Sequence, residues 1–154
     1  MHERSLNISK KEKTAISNEI ERLLKDRASI MISDGQTGSE NPFISEKENF
    51  REKKLREQIA QFRDELKKSG ETYSAIKTTV NFISSKKISD SIISTKIKEE
   101  TYLTISNTGT ATGYDAEHEI VLKKYKDTWK IVEDKQLGPI GLLPLNEAEK
   151  YVEK

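Results

Sequence analysis

His118-Glu119-Ile120-Val121-Leu122-Lys123-Lys124-Tyr125-Lys126-Asp127-Thr128-Trp129-Lys130-Ile131-Val132-Glu133 is the stretch on which the fold turns. His118, Ile120 and Leu122 alternate with Glu119, Val121 and Lys123, and Trp129 and Ile131 alternate with Lys130 and Val132. A period of two with β-branched residues marks strands. Folding the stretch about Lys126-Asp127 sets Leu122 opposite Ile131 and Ile120 opposite Glu133, so both apolar sets share one face. That coincidence predicts an antiparallel hairpin with a defined register.

Working back from the hairpin, Asn107 to Gly113 reads as a flexible loop. The β-rich run from Ile88 to Ser106 is interrupted by Lys98-Glu99-Glu100, which leaves one bent strand and two shorter strands both open. Residues 72–84 form a further strand, with Ile76, Thr78, Val80 and Phe82 alternating with Lys77, Thr79 and Asn81, and Lys86-Lys87 lies near a turn. Before residue 70 the period becomes helical. Ile16, Ile20, Leu23, Leu24, Ile30 and Met31 line one face over Thr14 to Ser33, and Asp34-Gly35 ends that helix. A second helix starts at the capping-box pair Ser45 and Glu48, carries the stripe Leu55, Ile59, Phe62 and Leu66, and stops at Ser69-Gly70. Its dense Lys, Arg and Glu residues read as a solvated face. Residues 1–13 read as a disordered lead-in, 14–137 as one domain, and 138–154 as a strap broken by Gly and Pro with a short terminal helix capped by Asn146.

Two helices ahead of three to four long antiparallel strands give an α+β fold, with the helices segregated from the sheet and packed on it. The chain has 154 residues, 27 Lys plus Arg against 26 Asp plus Glu, two His and no Cys. One domain accounts for that length. The lack of Cys excludes disulfides, thiolate metal sites and a thiol nucleophile, and two His argue against a catalytic metal centre, so no metal and no cofactor are expected. A net charge of +1 gives no reason to expect nucleic acid. No run approaches the ~18 apolar residues of a transmembrane segment, and no signal-peptide core is visible.

The element order resembles the cone-shaped fold of nuclear transport factor 2-like and cystatin-like domains. Residues 114–124 followed by Trp129-Lys130-Ile131-Val132-Glu133-Asp134 are similar to the accessory domain that precedes the catalytic domain in secreted amidase-like proteins of Gram-positive bacteria. The specific part covers 114–134, and the looser likeness covers 15–145. The resemblance implies a curved sheet wrapped on a helix and a non-catalytic binding or assembly role. Its partner would be a protein or an attached catalytic domain, and a homodimer through the sheet is also expected. It implies an extracellular or cell-wall location if a signal has been removed; otherwise the chain would be cytoplasmic. The chain lacks the Cys nucleophile of such a hydrolase and the length for a catalytic domain, so it would be the accessory domain alone.

No catalytic residue is assigned, and His118 is the one candidate for that role, since an imidazole titrates near neutrality. The competing reading is a partly buried His hydrogen-bonded within the sheet, for which His118→Ala would cost no more than about 1 kcal/mol. The ligand-binding candidates are His118, Tyr102, Tyr114 and Trp129, with Tyr73 and Asp90 as further cavity residues. The alternative function is a small isomerase- or dehydratase-like cavity enzyme using His118 as acid/base. Trp129, sharing a face with Ile131, reads more simply as a core anchor.

Overall fold

The computed structural model describes residues 7–32 and 43–142. Helix α1 (Lys10–Ala28) runs into a 3₁₀ turn (Ser29–Ile32); α2 (Glu46–Lys68) follows, then β1 (Tyr73–Ser89), β2 (Ile92–Ile105), β3 (Ala111–Tyr125) and β4 (Thr128–Leu142). The four strands form one antiparallel sheet in the order β1-β2-β3-β4. The fold is therefore α+β, two helices before a four-stranded meander. The terminal helix expected after Asn146 lies outside the described residues, as do the Asp34-Gly35 stop and the 36–42 loop.

Helix α1 starts earlier than the apolar pattern suggests. Ser9 Oγ accepts from the Glu12 backbone N–H at 3.1 Å, and Glu12 Oε1 accepts from the Ser9 N–H at 3.0 Å. This reciprocal box pulls Lys10–Lys13 out of the supposed lead-in and into the helix. At α2 only half of the expected box forms, with Ser45 Oγ accepting from the Glu48 N–H at 3.3 Å.

The sheet is longer and plainer than expected. Lys86 and Lys87 lie within β1, and the turn falls at Asp90-Ser91. Residues 92–105 form a single strand, and Lys98, Glu99 and Glu100 keep regular pairing with Glu117, Ala116 and Asp115 in turn. The strap is also corrected. Residues 137–142 continue β4, with Gly141 opposite Asp115 and Leu137 opposite Glu117, so residues 138–140 bulge opposite Ala116. Gly138 takes φ +83°, which an L side chain adopts only with strain, and this lets the strand kink and resume.

The core lies between α1 and the inner sheet face. Ile16, Ile20 and Leu24 are fully buried with Ile93, Ile97, Ile120, Leu122 and Ile131, and Trp129 closes one end. Each such side chain contributes about 1.5–3 kcal/mol by leaving water. Helix α2 is seated differently. Its buried residues are Glu52, Arg56, Ala60 and Arg63, and it packs on the 3₁₀ turn, where Arg63 Nη1 donates to the Ile30 carbonyl at 3.0 Å. Leu55 and Phe62, from the apolar stripe, stay exposed. At about 100° per residue the two stripes lie roughly a quarter turn apart.

Candidate functional site

Strict alternation along β2 aims Ile97, Glu99, Thr101 and Leu103 at the helix side, with Ile97 paired to His118 on β3. On β4 the alternation breaks. Val121 pairs with Glu133 but Leu122 pairs with Ile131, so Val132 is an extra residue. Leu122 opposite Ile131 is thus as expected, whereas Ile120 faces Asp134 and not Glu133. The bulge moves Asp134 to the inner face, in reach of His118.

His118 is 3% exposed and sits between two carboxylates. Its Nδ1 lies 2.8 Å from Asp134 Oδ1 and its Nε2 lies 3.0 Å from Glu99 Oε1. Burial works against the charged ring, but hydrogen bonds to Asp134 and Glu99 outweigh it and push the His118 pKa up to about 9. At neutral pH the ring is an imidazolium with both N–H groups donated. Burial would raise the Asp134 pKa, yet His118 and Arg27 hold it below the ordinary carboxylate value.

The network continues into the helices. Arg27 Nη2 donates to Asp134 Oδ2 at 2.9 Å, and Arg27 grips Glu52 with two bonds of 2.9 and 2.6 Å. Arg56 Nε donates to Glu52 Oε2 at 2.8 Å and its Nη1 to Asp26 Oδ2 at 2.6 Å. Behind Glu99, Thr101 Oγ1 donates to Oε2 at 3.0 Å, and the Tyr114 hydroxyl reaches it at 3.4 Å. Burial and the Glu99 charge raise the Tyr114 pKa, so the phenol keeps its proton. Three buried carboxylates (Glu52, Glu99 and Asp134) thus meet three cations (Arg27, Arg56 and protonated His118), and the seam is close to neutral.

Such a seam is sensitive to loss of one member, because the remaining charge is stranded in a medium that solvates it poorly. An effect larger than about 1 kcal/mol is therefore expected for His118→Ala: the substitution leaves Glu99 and Asp134 buried and under-compensated, at an expected cost of about 3–5 kcal/mol. Glu52 and Arg56 also correct the reading of α2 as having a wholly solvated charged face.

Two chambers flank the seam. The larger, about 580 Å³, lies between α2 and the sheet, and is lined by Leu55, Ile59, Phe62 and Leu66 on one side and by Tyr73, Leu103, Tyr114 and Ala116 on the other. Glu99 and His118 also border it. The smaller, about 240 Å³, is more polar, with Glu48, Arg51, Glu52 and Asp134 in its wall. Arg27, Leu55, His118 and Gln136 border both.

Of the sequence candidates, His118, Tyr114 and Tyr73 come together around the larger chamber. The Tyr73 hydroxyl donates to the Glu71 carboxylate. Tyr102 is buried but pairs with Lys77 and Gly113 on the opposite register from Thr101 and Leu103, and borders neither chamber. Trp129 lies in the core cluster and Asp90 in the β1–β2 turn. Arg27, Glu52, Arg56, Glu99 and Asp134 are the site residues that sequence reasoning missed.

Among the described residues no group of His, Asp and Glu is arranged to hold a metal ion, and no helix is long and apolar enough to cross a membrane. No protein-family model matches the chain, and no curated protein or solved structure is significantly similar to it.

Proposed function

We propose that this chain is a non-catalytic binding and assembly domain of the cone-shaped, nuclear transport factor 2-like class, serving as an accessory domain of a cell-wall-associated amidase-like protein. The observation that carries the non-catalytic part is the state of His118. A general base needs a free lone pair, and a general acid needs a proton it can release near working pH. His118 has neither, since both ring nitrogens are engaged by carboxylates and its pKa is pushed up to about 9. The larger chamber, walled mainly by apolar side chains, suits retention of a ligand or partner.

The wall-associated part of the reading rests on the resemblance of residues 114–134 and on the hairpin they form. The sheet has β1 and β4 as its edges, and the reading includes a homodimer that pairs through one of them. The alternative, a small cavity enzyme with His118 as acid/base, draws on the gathering of His118, Glu99 and Tyr114 at one chamber, but leaves His118 no nitrogen for a substrate.

The test is sedimentation of the purified chain with isolated Gram-positive cell walls, with the supernatant analysed for released fragments. Cosedimentation without fragments is expected. Release of fragments that His118→Gln abolishes would overturn the binding reading, and failure to sediment with the walls would overturn the wall-associated role.

A further inference from the structure

The seam leaves one donor unspent. Arg27 uses Nε and Nη2 on Glu52 and Asp134, and Nη1 has no hydrogen-bond partner among the described residues. No enclosed side-chain nitrogen or oxygen there lacks a partner, so Nη1 is open to space beside it. Arg27 is only 8% exposed, and it borders both chambers. A nearly buried guanidinium with N–H groups to spare thus borders both an apolar chamber and a polar one.

The geometry points to a binding site for a neutral amphiphile: an acyl chain in the larger chamber and an uncharged oxygen-bearing head, ester or hydroxyl, accepting from Arg27 at the junction. Three observations choose this class. The chamber of about 580 Å³ falls within the roughly 300–1,000 Å³ range of small-molecule sites, and its walls supply Leu55, Ile59, Phe62 and Leu103. The charges at the junction already balance, and Arg51 in the smaller chamber is paired with Glu48 at 3.1 Å, so an anionic head would meet Glu52 and Asp134, and an ammonium would meet Arg27 and His118. A neutral oxygen acceptor satisfies Nη1 without disturbing that balance. This deepens the binding-domain reading and rests on it.

The test is native mass spectrometry and calorimetry of the full chain with 1-monomyristoylglycerol, myristic acid and tetradecylamine, each below its aggregation concentration. Ile59→Trp serves as the variant because Ile59 lines the larger chamber and is only half-buried, so bulk added there fills space without entering the core. We expect one monoacylglycerol per chain, bound at least ten-fold more tightly than the acid or the amine. Affinity should fall about four-fold per methylene removed from the chain. Ile59→Trp should lower affinity at least ten-fold with unchanged circular dichroism and melting temperature. Absence of monoacylglycerol binding, equal or tighter binding of either charged amphiphile, or full binding by a folded Ile59→Trp would each overturn the proposal. Such a result removes the ligand class alone, whereas His118-dependent release of wall fragments would remove the binding reading itself.

Discussion

Helices α1 and α2 carry similar amphipathic patterns and use them in opposite ways. Helix α1 turns Ile16, Ile20, Leu23 and Leu24 onto the sheet and buries them. Helix α2 docks through Glu52, Arg56, Ala60 and Arg63 and leaves Leu55, Ile59, Phe62 and Leu66 beside a cavity. Hydrophobic burial is non-directional and favours whatever closes most tightly. The ion pairs supply direction: two bonds from Arg27 of α1 to Glu52 and one from Arg56 to Asp26 of α1 fix how α2 is turned. An apolar stripe on a helix therefore marks where apolar matter belongs, and that matter need not come from the same core.

The sharpest way to break this contrast is Arg27→Ala, which removes the buried cation that Glu52 and Asp134 share. We expect a loss of about 3–5 kcal/mol in urea unfolding, and a loss under about 1 kcal/mol would show that the seam does not seat α2. Matched truncations of the two apolar stripes come next. Leu24→Ala in α1 should cost about 2–5 kcal/mol, whereas Phe62→Ala in α2, at 59% exposed, should stay within about 0.5 kcal/mol. Equal costs would mean that both stripes belong to one core.

The third effect is graded with pH. The folded-state pKa of His118 is raised to about 9 above its ordinary value near 6.5, so its contribution is full below about pH 6.5 and is lost as pH rises through about 9. The folded pKa of Asp134 is lowered, so its contribution is full above about pH 4 and is lost on acidification below that. Stability against urea should therefore be greatest between about pH 4 and 6.5 and fall by about 3 kcal/mol toward pH 9. A flat profile from pH 6 to 9 would remove His118⁺ from the network.

Much of the architecture was legible in local patterns. The 3.6-residue period gave the helices, and the period of two with the Lys126-Asp127 turn gave the hairpin and the Leu122–Ile131 pairing. Glu99 was legible too, since it continues the inward alternation of Ile97, Thr101 and Leu103, although a charged residue there looks like an interruption. The Ser9–Glu12 box was present in the sequence but lies among lysines that mask the start of α1. Glu52 and Arg56 carried the i,i+4 spacing of an ion pair, which exposed and buried pairs share equally. Asp134 was not legible, because one extra residue at Val132 reverses the face of everything beyond it, and nothing local distinguishes Val132 from its neighbours. The continuation of β4 past Gly138 was hidden for a related reason: Gly and Pro ordinarily end a strand, and here the irregularity opposite Ala116 absorbs them.

On the proposed reading His118 is a charged lock that ties β2, β3 and β4 to the helix seam and has no nitrogen free for acid/base work. Nitrogen-15 NMR of the His118 imidazole across pH 5 to 10 tests it most directly. A doubly protonated ring at pH 7 that titrates at about 9, with slow exchange of both ring protons, is expected. A neutral ring at pH 7, titrating at or below about 6.5, would contradict it.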